Sequence, residues 1–221
     1  KGGPEKENKS RLEGMRVYSE RLVAPSGPAG FRVVTQIHPF WNIYLNGLAI
    51  AIAEALEPLR DDRARSYRFL PSADEQLFDT DLSWRAFKEA TVEHAASAGA
   101  EAIVVQTDIS SFYEHVSHHY LENFINDLGG DCKVIAAQVN ALLGHFSAKR
   151  SFGLPVGGQA ARILAELFLS YVDNALSAAG VNWHRYVDDY VLIAANTADA
   201  YRALGALAQA LLDYGLSLNK S

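Results

Sequence analysis

The chain has 221 residues, 49 % of them hydrophobic, a formal net charge of −6 and a single cysteine, Cys132. This composition fits a globular protein with one large core or two small domains, excludes a disulfide framework within the chain and suits a reducing, cytoplasmic setting. The longest apolar run, residues 45–56, is interrupted by Asn46 and Glu54 and is too short to cross a bilayer; no signal-peptide pattern opens the sequence, so no membrane role is expected.

The first residues, "KGGPEKENKSRLEG", are charged and glycine-containing and read as a loose arm. The stretch "ERLVAPSGPAGFRVVTQI" follows as two short strands around a Pro/Gly turn. Leu45, Leu48, Ala49, Ile52, Leu56 and Leu59 recur at helical spacing, which predicts an amphipathic helix over about 40–58. Residues 57–81 carry no period, and "LSWRAFKEATVEHAASAG" is helical up to Gly99. "EAIVVQTDI" is a short buried strand ending at Asp108. The helices "HHYLENFINDLGG" and "KVIAAQVNALLG" precede a Gly/Pro loop, "SFGLPVGGQ". A long helix then runs from Ala160 to about Ala178, with Leu164, Leu167, Phe168 and Tyr171 on one face. "WHRYVDDYVLI" reads as strand, break and strand. The helix "TADAYRALGALAQALLDYG", with Thr197 as N-cap and Gly215 as C-cap, leads into a last strand, "LSLNK". From residue 100 the order is strand, helices, strand, strand, helix, strand. It predicts an α+β fold: an antiparallel sheet with helices on one face, most simply connected as a split βαβ, ferredoxin-like unit.

The acidic total argues mildly against a nucleic-acid partner, but the charges are unevenly spread. Residues 1–32 carry seven Lys/Arg against four Glu, and Arg60, Arg63, Arg65 and Arg68 surround Asp61 and Asp62. Residues 145–165 hold Lys149, Arg150 and Arg162 with no acid. Each cluster alone reads equally well as a solvated face.

The hairpin poses a chemical question. Tight turns favour Asn-Gly or Asp-Gly, and Asp188 beside Asp189 is a poor choice for turning alone. If the strand ending in Asp108 neighbours the hairpin, three carboxylates converge, and such close like charges stay ionised only against a neutralising cation. Hard divalent ions bound through oxygen are the natural answer. Two of them ~3.5–4 Å apart can clamp the attacking and leaving oxygens of a phosphoryl transfer. His115, His118 and His119 have no carboxylate or cysteine partners at ligand spacing and read as surface or capping residues.

In order and spacing, "QTDISSFYEHV", "GLPVGGQAARILAE", "RYVDDYVLI" and "LLDYGLSLNKS" resemble motifs A, B, C and the start of D in the palm of reverse transcriptases. The likeness covers residues 100–221. Upstream, "GFRVVTQI" is similar to the fingers strand that carries a triphosphate-binding arginine. The resemblance implies a right-hand polymerase architecture: residues 1–99 as arm and fingers, 100–221 as palm, 117–150 returning in part to the fingers, and no thumb within this chain. The lysine that closes motif D would fall beyond Ser221, so the sequence reads as part of a longer protein. "DISSFYEHV" and "GLPVG" are most similar to bacterial antiviral reverse transcriptases of the abortive-infection and defence-associated kind. Val156 stands where retroviral and group II intron enzymes usually have Gln.

The resemblance implies an RNA-directed DNA polymerase that joins dNTPs to a 3′-hydroxyl with two Mg2+ ions, Mn2+ being a substitute. Asp108 and Asp188 would hold both ions, Asp189 would support the site, and the Ile109 carbonyl would complete the ligand set. Tyr113 would pack under the deoxyribose and exclude a 2′-hydroxyl. Gly157 and Gly158 would let the backbone approach the incoming base pair, and Arg32 would steady the triphosphate. Arg65, Arg68, Lys149, Arg150 and Arg162 would contact triphosphate, template or primer, with Arg162 pairing with Glu166 as the alternative. Implied partners are an RNA template and a DNA or RNA primer. A noncoding RNA, a second copy of the chain and a partner protein are further candidates. Three other readings stand beside this one: untemplated or protein-primed DNA synthesis, a catalytically silent palm used for assembly or sensing, and an RNA-dependent RNA polymerase.

Overall fold

The computed structural model describes residues 16–27, 30–71, 76–148 and 150–219, so the N-terminal arm, Lys149 and Lys220 lie outside the described residues. In chain order the elements are β1 (Ser19–Ser26), β2 (Gly30–Ile37), α1 (Pro39–Leu56), α2 (Trp84–Ser97), β3 (Ile103–Asp108), α3 (Phe112–His115), α4 (His118–Asp127), α5 (Cys132–Phe146), α6 (Gln159–Ala178), β4 (Trp183–Tyr186), β5 (Asp189–Ala194) and α7 (Thr197–Asp213). They belong to two compact units, one made of residues 1–56 and 113–168, the other of 57–112 and 169–221.

In the first unit β1 and β2 form an antiparallel hairpin, in register from Ser19↔Ile37 to Ser26↔Gly30. Helix α1 buries Trp41, Leu45, Ala49, Ile52, Ala53 and Leu56; of the expected stripe, Leu48 is half-buried and Leu59, past the end of the helix, is exposed. Opposite that stripe lies α5, and the Tyr44 hydroxyl donates to Gln138 Oε1 between the two helices. Ser117 caps α4, whose Phe124 meets Phe168 of α6 edge-on at 5.4 Å between ring centroids.

The second unit is built on an antiparallel sheet of order β3-β5-β4. Residues directly opposite in such a sheet share a face. Arg185 and Tyr190 are opposite one another, and both bond Asp173 of α6, so α6 covers that face. His184 and Val191 point the other way, toward α2, where Phe87 packs with Val191 and Ile193. Helices therefore lie on both faces, not on one, which is why β5 from Tyr190 to Ala194 is apolar at every position. Helix α7 packs against β3 and β5. Its N-cap is Asn196 rather than Thr197: the Asn196 side chain accepts from the Asp199 amide, and Gly215 follows the helix with φ +77°.

The aperiodic stretch after α1 is organised by arginines turned inward. Arg60 is buried and donates to the carbonyls of Ser66 at 2.8 Å and Tyr67 at 3.1 Å. Arg63 holds the Asp61 carboxylate at 2.6 Å, reaches Ser177 Oγ and lies over the Trp183 ring; its hydrogen bonds to the carboxylate, with its charge, lower the pKa of Asp61 against the opposing effect of burial. Residues 63–65 run beside β4, with Arg65 N donating to Arg185 O and Arg185 N to Arg63 O, both at 3.0 Å, so this edge of the sheet is covered. No helix among the described residues is long and apolar enough to cross a membrane.

On the α2 face, His94 Nδ1 and His184 Nε2 stand 2.8 Å apart. Burial, then the charges of His94, Arg65 and Arg63, push His184 down to about 4, so its imidazole is neutral in the folded protein. A folded pKa below the unfolded value means that stability is intact at neutral pH and is lost as pH falls from 6.5 toward about 4. Urea unfolding between these limits should show this decline, and His184→Phe should flatten it. An unchanged slope in the variant would place the acid sensitivity elsewhere.

Candidate active site

The sheet register sets up the site. Asp108 ends β3 directly opposite Asp189, the first residue of β5, and Ile109 N donates to Asp188 O at 3.2 Å. Because Tyr186 pairs with Asp189, the turn consists of Val187 and Asp188 alone. The break in the hairpin is thus Val-Asp, and the second acid already belongs to a strand. All three carboxylates are half-buried. Burial first, then the negative charges of Asp188 and Asp108, raise the pKa of Asp189, while Lys88 of α2 opposes the shift. Lys88 itself lies over the Trp84 ring, which packs edge-on against Tyr186.

This mutual repulsion is the condition a divalent cation relieves, and an all-oxygen donor set suits Mg2+ or Mn2+. Among the described residues, no group of three or more His, Cys, Asp or Glu side chains forms a ready-made metal cage. The acids share a strand end and an electrostatic field.

Asn219 was not expected here. Its backbone N–H donates to Asp108 O at 2.9 Å and its side-chain Nδ2 to Asp108 Oδ2 at 3.2 Å, in a segment where Leu218 bridges to Ile109. Where a last strand was expected, the described residues 216–219 form a single antiparallel bridge beside the end of β3, and Asn219 there orients the Asp108 carboxylate. The alternating pattern of "LSLNK" signalled a strand, but nothing in it named the partner.

The other site candidates divide between the units. In the first unit the Gly/Pro loop is pinned to the second half of motif A. Leu154 N donates to Tyr113 O at 2.7 Å, Gly153 N to Val116 O at 2.8 Å, and His118 Nε2 contacts Gly153 O at 2.7 Å. His118 is buried, which lowers its pKa, and its role is to hold this loop. Thr35 N donates to Val156 O at 3.2 Å, tying the strand that bears Arg32 to the same loop. Gly157 has φ +132°, which a side chain resists, whereas a Cβ on Gly158 would make only ordinary contact with Asn42 at 3.5 Å. Asn46 then accepts from Ala160 N at the start of α6. Tyr113, Gly157, Gly158 and the Arg32 strand are thus linked through one loop.

Arg32 is exposed on β2, opposite Ala24. Arg150 is exposed too; it lies over the Phe152 ring and lines a cleft with Arg21 and Glu114. Arg162 donates to Gln159 Oε1 at 3.0 Å. Lys149 lies outside the described residues. In the second unit Arg65 is half-buried beside β4, and Arg68 is engaged internally with Glu57 and with the carbonyls of Asp61 and Ala64. Asp108, Ile109, Asp188 and Asp189 belong to this second unit, and Ile109 is buried.

Many solved structures share this fold, three of them as follows. Apo telomerase from Candida tropicalis, truncated from its C-terminal domain, aligns with a TM-score of 0.59 and 15 % identity over 91 % of this chain and 48 % of its own. Telomerase from Candida albicans in complex with a TWJ fragment of telomeric RNA gives 0.65 and 12 % over 96 % and 42 %, respectively. A structure described as an RdRp complex gives 0.57 and 12 % over 98 % and 21 %. The chain therefore spans less than half the length of each of these neighbours. No curated protein sequence matches it. Residues 35–221, from within β2 through all four motifs and every carboxylate of the site, match the family described as "Reverse transcriptase (RNA-dependent DNA polymerase)". That match takes in most of the chain, and the chain belongs to the reverse transcriptase family.

Proposed function

We propose that this chain carries the nucleotidyl-transfer centre of an RNA-directed DNA polymerase. The observation that carries the reading is the register that sets Asp108 opposite Asp189, with Asp188 in the adjoining turn. Asp108 and Asp188 hold two Mg2+ ions, Asp189 completes the field, and the Ile109 carbonyl adds an oxygen ligand. Bound there, the metal supplies charge that favours loss of the 3′-hydroxyl proton, attack of that oxygen on the α-phosphorus and departure of pyrophosphate. The chain's own residues provide position. Asn219 fixes the Asp108 carboxylate, and the strands on either side of the turn hold Asp188 against it.

In the same reading, the loop that links Tyr113 to Gly157 and Gly158 forms the floor for the nucleotide, and Arg32 meets its triphosphate. Arg65, Arg150, Arg162 and Lys149 face template or primer phosphates. The substrates are dNTPs on an RNA template with a DNA or RNA primer. The sequence likeness to abortive-infection and defence-associated enzymes supports a role in bacterial antiphage defence, with a noncoding RNA, a second copy or a protein partner in the assembly. Val156, an apolar residue in the nucleotide loop, also keeps untemplated synthesis in view.

The test is Mg2+-dependent extension of a primer on RNA with single and mixed dNTPs. Template-directed products support the reading; homopolymer from one dNTP, made without template, supports untemplated synthesis. Absence of any incorporation by the full-length protein would count against both. Tyr113→Ala should raise ribonucleotide incorporation relative to deoxyribonucleotide by about 10- to 100-fold with little change in dNTP turnover, because removing a steric barrier relaxes selection without adding an attraction. Unchanged selectivity would remove Tyr113 from the sugar site.

A further inference from the structure

The turn that carries Asp188 is strained. Val187 has φ +56°, in the left-handed region, where a β-branched side chain crowds its own backbone. Glycine is the usual occupant of the first position in a two-residue hairpin turn of this kind. Strain at such a site persists only where the surroundings impose it.

Here the surroundings grip both ends of the strained residue. The Val187 N–H donates to Ser66 Oγ at 2.8 Å, and the Val187 carbonyl accepts from Arg185 Nη1 at 3.0 Å. Both partners are fully buried, with no exposed surface on either Ser66 or Arg185. Each is locked in turn. Arg185 Nε and Nη2 fork onto the Asp173 carboxylate at 2.7–3.1 Å, and the Tyr190 hydroxyl donates to Asp173 Oδ1 at 2.9 Å. The Ser66 carbonyl accepts from Arg60, and its neighbour Arg65 is bonded to the Arg185 backbone.

We propose that Ser66, Arg185 and Asp173 form a backbone clamp that holds Val187 in the left-handed conformation and thereby aims the Asp188 carboxylate. This rests on the reading of Asp188 as a metal-holding residue. The three are positioning residues: Ser66 and Arg185 grip the turn, Asp173 holds Arg185 in place, and none of them touches the substrate. Their function is to make a non-glycine turn as definite as a strand. A glycine at 187 would adopt the same φ without help but would also visit others.

The experiment uses the full-length protein and two readouts: primer extension, as kcat and KM, and Mn2+ affinity by electron paramagnetic resonance. Ser66→Ala removes one grip with little loss of volume. It should lower kcat by about 10- to 100-fold, as misplacement of a reacting group does, with KM for dNTP nearly constant. Mn2+ binding should weaken in parallel, while the melting temperature falls by about 2–12 °C, as expected for one donor left unpaired. Adding Val187→Gly to Ser66→Ala should recover part of both losses, because glycine takes this φ without strain although it also visits others. The clamp is overturned if Ser66→Ala matches the parent in kcat and Mn2+ affinity, or if the glycine restores no part of them. A parent protein that neither incorporates nucleotide nor binds Mn2+ would overturn the polymerase reading instead.

Discussion

Asp188→Asn should abolish nucleotide incorporation, by about three orders of magnitude or more, which is ~4 kcal/mol of transition-state stabilisation. The substitution keeps the shape of the side chain and removes the negative charge that a cation at this site requires. Asp188 is half-buried in a turn, so the exchange should be structurally mild. It should even relieve repulsion, since the Asp188 charge helps to raise the pKa of Asp189. Unfolding curves should therefore stay level or shift slightly upward while primer extension disappears. If the variant retains activity at the parental level, the carboxylate cluster is not the catalytic centre. The contrast between lost activity and retained stability separates a catalytic carboxylate from a capping one.

Asp173→Ala should produce the opposite pattern, with a large loss of stability. Asp173 and Arg185 form an ion pair with side chains 3 % and 0 % exposed, and the Tyr190 hydroxyl depends on the same carboxylate. Removing one partner leaves a guanidinium buried without its counter-charge, which costs about 3–5 kcal/mol. For a chain of this size that corresponds to a fall in melting temperature of about 6–20 °C. Replacing both partners, as Asp173→Leu with Arg185→Met, should recover much of the stability, because a well-packed apolar pair can substitute for a buried ion pair. It should not recover activity, because methionine has no donor for the Val187 carbonyl. If the double variant regains both, the pair serves stability alone.

How much of this was legible in the sequence depended on the range of the interaction. Most strands and helices came through because their periods are local: the α1 positions Leu45, Ala49, Ile52 and Leu56 need no partner to be seen. The carboxylates were legible because charge at the end of an apolar strand is conspicuous. The inward-turned arginines were not. Arg60, Arg63 and Arg68 look like a basic surface patch, and only the carbonyls and acids that they meet in space show that they hold a loop together. Helix α2 on the second face was missed for a related reason. Phe87 and Trp84 give it a modest apolar stripe, and the sequence does not say which side of the sheet that stripe covers. Asp173 and Arg185 are 12 positions apart in different elements, so their pairing has no local period to announce it.

The interleaving of the two units carries a consequence for how the chain is made. The first unit has all its residues once position 168 has been synthesised, whereas the second needs segments from both sides of that stretch. Strand β3 is complete at Asp108, yet its neighbours on both edges, β5 on one side and the Leu218 segment on the other, follow only after position 188. Until then Ile103, Val104 and Val105 form an apolar strand with two open edges, the kind of surface that recruits other chains. Synthesis of this protein thus passes through a long interval in which one half is complete and the strand bearing Asp108 waits unpaired. Chains stopped within that interval would be more prone to aggregate than either the finished protein or much shorter pieces.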